Sequence, residues 1–113
     1  KQCSKLHITL CFLFFFVYGA MTDEALMREC TPAGETAVHA SRARQAGVSK
    51  EVFYADAKKK YGTDYTWVYR EGVIDVAFKA PIKATPEAKE KITREIFDHA
   101  FATCIEFNRE LGR

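Results

Sequence analysis

The sequence predicts an all-α fold, a small bundle of about four helices whose first and last members are joined by a disulfide. Three observations carry this. No stretch of useful length alternates apolar and polar residues as a half-buried strand would. Four segments instead open on a capping side chain and stop at glycine or proline. Two cysteines, Cys30 and Cys104, remain once an apolar leader is set aside, and they fall in the first and last of those segments.

The leader comes first. The chain opens KQCSKLH, continues ITLCFLFFFVY and then reads GAMT. Two lysines, an eleven-residue apolar run from Ile8 to Tyr18 and small residues are the three parts of a secretory signal peptide. A membrane span needs about 20 apolar residues, so an uncleaved anchor fits this run less well. Cleavage after Gly19 puts Val17 and Gly19 at the two specificity positions. The expected organisation is a signal peptide over 1–19 and one helical domain over 20–113.

Removing 19 of the 113 residues leaves 94, and the net charge of +2 departs with Lys1 and Lys5. Fifteen basic and fifteen acidic side chains remain, so the domain has no general attraction for nucleic acid, nor for membrane once the leader is gone. Cys3 and Cys11 leave as well. An even pair in an oxidising compartment most simply forms one bond, here Cys30–Cys104. Hydrophobic residues at 48% and aromatics at 13% suffice for a small core and exclude a disordered chain.

The first helix starts at Thr22 with acids in its first turn; Thr31-Pro32 kinks or restarts it, and it ends at Gly47. Cys30, Ala33, Gly34, Ala37 and Ser41 share one face, small enough for another helix to come close. Ser49 caps the second helix, 50–61, whose lysine triplet Lys58–Lys60 complements the C-terminal dipole. Thr63 is expected to cap the third, 64–79, which ends before Pro81. It carries two apolar faces, Tyr65, Tyr69, Gly72, Val73 and Val76 on one and Trp67, Ile74 and Phe78 on the other. Thr85-Pro86-Glu87 opens the fourth helix, which runs to Leu111 with Ile92, Ile96, Phe97, Ala100, Cys104, Phe107 and Leu111 on its main face.

Cys30…Gly34…Ala37…Arg42…Gly47-Val48-Ser49, then Val73-Ile74-Asp75-Val76-Ala77-Phe78…Pro81, then Phe101…Cys104 resemble a group of small exported proteins of Gram-negative bacteria, a family of unknown function. The resemblance spans nearly all of the chain beyond the leader. It implies a periplasmic or secreted location, a helical fold and a disulfide, and no activity. By analogy of size and single disulfide the chain is also similar to periplasmic acid-stress chaperones and to helical immunity proteins of secreted toxins, without a diagnostic motif of either.

Chemistry is sparse. There is no phosphate loop, nucleophile elbow, HExxH or CxxC. His39 and His99 lie on different helices, and Glu95 with His99 reads as an ordinary i, i+4 pair. No catalytic, metal or cofactor residue is named. The expectation is a non-enzymatic protein that binds another protein, immunity-like or as an interaction module, or pairs as a homodimer. A stress chaperone is the alternative, and a small hydrolase is disfavoured. If Tyr65, Tyr69, Val73 and Val76 point inward, then Trp67, Ile74 and Phe78, with Arg70 at the rim, form the partner surface, because the Ala and Ser of the first helix cover large rings poorly.

Overall fold

The computed structural model describes residues 21–112. The leader expected over 1–19 lies outside the described residues. Four helices are present among them, α1 (Asp23–Gln45), α2 (Lys50–Tyr61), α3 (Trp67–Lys79) and α4 (Pro86–Leu111), and no strand. No helix among the described residues is long and apolar enough to cross a membrane.

Helix starts follow the expected capping chemistry at three of four places. The hydroxyls of Thr22, Ser49 and Thr85 accept the backbone N–H groups of Ala25, Val52 and Ala88. The third start differs. Thr63 is not the cap, because Asp64 intervenes. Its carboxylate accepts the Thr66 N–H at 2.9 Å and its carbonyl the Trp67 N–H, a local turn that delays α3 to Trp67. That backbone hydrogen bond, more than any charge, also holds the Asp64 pKa below its usual range.

α1 is one helix through Pro32, with no restart there. A proline inside a helix costs about 3 kcal/mol. Here its neighbours offset that cost: Cys30 and Ala33 are fully buried on either side of it, and Cys30 is bonded to α4.

α1 is the shared neighbour of the other elements. α4 packs antiparallel along it. The pairings run from Asp23–Arg109 through Cys30–Cys104 to the buried Ser41–Thr93 hydroxyl contact of 2.7 Å. The disulfide joins the two helices with a Cα–Cα distance of 5.7 Å, and no cysteine among the described residues is unpaired. Gly34 is where the helices close up: a Cβ there would stand 2.6 Å from the Phe97 ring. α3 also packs on α1 and contributes Ile74, Ala77 and Phe78 to a core shared with Ala37, Ala40, Ile96 and Ala100.

Gln45 fastens the α3–α4 connection. Its side-chain amide donates to the Pro81 carbonyl and accepts from the Lys83 N–H, while Arg44 donates to the Ala80 carbonyl. α2 buries no residue of its own. It leans on α3 through two ring pairs, Phe53 on Phe78 at 5.7 Å and Tyr54 edge-on to Trp67 at 5.5 Å.

Candidate functional site: an apolar groove between α3 and α4

The face of α3 expected to meet a partner is the one that meets α1. Ile74 is fully buried, Phe78 and Arg70 are 8% and 7% exposed, and only Trp67 is half-buried. The face expected to point inward is the open one. Tyr65 is 72% exposed, Val68 71% and Val76 43%, with Tyr69 and Val73 half-buried between the two.

The reason is volume matching. Ala37 and Ala40 do not leave Ile74 and Phe78 uncovered; they make room for them, as interdigitating cores do. The rest of the cover for Phe78 and Trp67 comes from the rings of α2.

Arg70, expected at a rim, is a structural residue. Its Nη1 and Nε donate to the hydroxyls of Thr36 and Thr66, each at 3.0 Å. Its guanidinium stacks 3.7 Å from the centre of the Tyr61 ring, and Glu35 stands 3.9 Å away. A buried cation with all of these partners is saturated and has little left for a ligand. Among the described residues no buried side-chain nitrogen or oxygen lacks a partner.

What remains is a groove. α3 and α4 both pack on α1 but scarcely touch each other. The space between them is about 370 Å³. Its floor is Ala33 of α1 with Ile96, Ala100 and Cys104 of α4. One wall is Val68, Gly72, Val73 and Val76; the other is His99, Thr103 and Phe107, the last 53% exposed.

Polar groups are few and sit at the ends. The Tyr69 hydroxyl donates to Glu29 at 2.8 Å and lies 3.4 Å from the Asn108 side-chain oxygen. Burial, then the bond to Glu29, push its pKa above the ordinary tyrosine value. The Asn108 amide donates to the Cys104 carbonyl at 2.9 Å and rests against both disulfide sulfurs. This end of the groove is therefore fixed by a closed network.

A smaller cleft between α2 and α3 holds Lys50, Glu51, Tyr54, Glu71 and Asp75. Two pairings already occupy it. Tyr54 donates to Glu71 at 2.6 Å, which raises the tyrosine pKa, and Lys50 holds Asp75 at 2.7 Å, which lowers the aspartate's. The cleft pins α2 to α3.

His99 borders the groove, but Glu95 reaches Lys91 at 4.0 Å. No group of three or more His, Cys, Asp and Glu among the described residues is placed to hold a metal ion. The residues that sequence reasoning missed as a surface are Val68, Gly72, Val76 and Phe107. The one available signal was Gly72, a glycine in mid-helix with no turn to make.

No family model, curated protein or solved structure matches the chain.

Proposed function

We propose that this chain is an exported, non-enzymatic interaction module that binds by taking an apolar, helix-shaped element of another polypeptide between α3 and α4. The observation that carries the reading is the groove. It is bounded by α3 and α4, reaches Ala33 of α1 at its floor, and is almost wholly apolar. An amphipathic helix laid into such a groove anchors through residues at three- and four-residue steps.

Export is supported by the leader pattern and by a buried disulfide of the kind that persists in oxidising compartments. A secreted toxin is one partner class that suits this reading, in which case the module acts as an immunity protein.

Site-specific photocrosslinking tests it. A photoreactive residue at Val76, in the groove wall, is expected to capture a polypeptide in envelope extracts, and Val68→Glu is expected to abolish the adduct. The same probe at Glu51, away from the groove, is expected to give none. Equal capture from both positions, or capture that survives Val68→Glu, would overturn the reading.

A further inference from the structure

We propose that the element filling the groove is α3 of a second copy, in an antiparallel two-fold pairing centred on Gly72. The proposal rests on the reading of the groove as a binding surface and names its occupant.

Gly72 is the starting point. It lies inside α3, where glycine is about 1 kcal/mol worse than alanine. Its φ is not positive, so no turn requires it. A Cβ built there would meet nothing within 4 Å, so no neighbour inside the chain requires it either. A glycine that the monomer does not need is accounted for by the close approach of a backbone from outside.

The residues around it are self-complementary. A two-fold axis at Gly72 brings position 72 − n of one copy against 72 + n of the other. Val68 and Val76 stand four residues on either side, so each valine meets the other across the axis. An unrelated partner would not require this symmetry. Tyr65, 72% exposed, lies in the turn just ahead of α3 and outside this helical register.

The area is adequate. Tyr65 and Phe107, 72% and 53% exposed, still offer on the order of 100–150 Å² each, given 150–250 Å² for a fully buried ring. With Val68, Val76 and the half-open groove lining, the face presents roughly 500 Å² per copy, so a dimer buries roughly 1,000 Å², the lower limit for a specific interface. The pairing is therefore concentration-dependent. The partner's α3, seated over the groove, would also cover Phe107 and Thr103 of α4, and the same contacts recur on the other side of the axis.

Sedimentation equilibrium of the protein produced by exporting the full chain tests this. The expected result is a monomer–dimer equilibrium that shifts with protein concentration. Gly72→Leu, which fills the crossing point, and Val68→Glu, which charges the stripe, should each raise the dissociation constant at least tenfold. Both should melt in dilute solution no lower than the parent, because both sites are open to solvent. Dimerisation insensitive to both variants would overturn the proposal. So would a parent that stays monomeric throughout. If that monomer still gives a Val76 adduct with a different polypeptide, the binding-surface reading stands and only the second copy as occupant is lost.

Discussion

Removing the Cys30–Cys104 bond is expected to be the most costly two-atom change available to this chain. The bond closes a loop with a sequence separation of 74 residues. In the chain-entropy description such a loop restricts the unfolded ensemble by about 4 kcal/mol. A domain of this size has a net stability of roughly 5–14 kcal/mol, so the bond supplies a large share of it. The folded side adds little to the cost. Both cysteines are buried beside Ala33, and Asn108 keeps its bond to the Cys104 carbonyl when the sulfurs are gone. The double variant Cys30→Ala with Cys104→Ala should therefore lose about 4 kcal/mol, which corresponds to roughly 15–30 °C in Tm for a domain under 100 residues. Thermal and urea unfolding followed by far-UV circular dichroism measure it, with the reduced parent as a second route to the same state. A double variant that melts within a few degrees of the oxidised parent would refute the reasoning, and would mean that α1 and α4 are already close in the unfolded chain.

Three further outcomes are expected. Ile74→Ala removes a fully buried side chain from the α1–α3 interface and should cost about 2–5 kcal/mol in urea unfolding, whereas Val68→Ala on the open face should cost little. Gly34→Val should cost about 1–3 kcal/mol by overpacking, because its Cβ alone would stand 2.6 Å from Phe97. Asp75, lowered first by its bond to Lys50, contributes stability that is present above the unfolded value near 3.8 and lost as pH falls through the lower folded value. Tyr69, raised first by burial, contributes stability that is present below 10.0 and lost as pH rises through the higher folded value. Tm against pH should fall at both ends, with Asp75→Asn flattening the acid limb and Tyr69→Phe the alkaline one.

Helix positions and the staple were legible in the sequence because they depend on local chemistry. Thr22, Ser49 and Thr85 cap wherever an N–H lies three residues ahead, and two cysteines on core-facing stripes have only each other. The third start was misplaced because a turn held by Asp64 follows Thr63, so the N-cap position falls at Thr66 and not at Thr63. The orientation of α3 was not legible. A helix with two apolar faces has a near-zero preference of its own, so its neighbours decide. The small residues of α1 were read as poor cover, when small residues on one helix are the complement of large ones on the next. Arg70 escaped for a related reason. A lone arginine beside aromatics reads as a rim residue until the fold brings Thr36, Thr66 and Tyr61 around it.

The groove follows from the same economy of side chains, and that gives it a sharp test. α3 and α4 both pack on α1, and helix axes come closest where the intervening side chains are smallest. They would touch above α1 only if large residues bridged them. Among the residues lining the gap, Gly72 and Thr103 are small and open to solvent. A chain selected for monomer stability alone would place leucine there, since each buried leucine is worth about 1.5–3 kcal/mol. The double variant Gly72→Ala with Thr103→Leu should therefore be more stable than the parent by about 1–3 kcal/mol, combining the helix propensity of alanine with partial burial of the new leucine. Binding at the groove should be weakened at the same time, the trade expected where a gap is kept for use. Urea unfolding at low concentration reads the first change, and the Val76 crosslink reads the second. A variant that gains stability and still binds as the parent does would show that the gap between α3 and α4 is only imperfect packing.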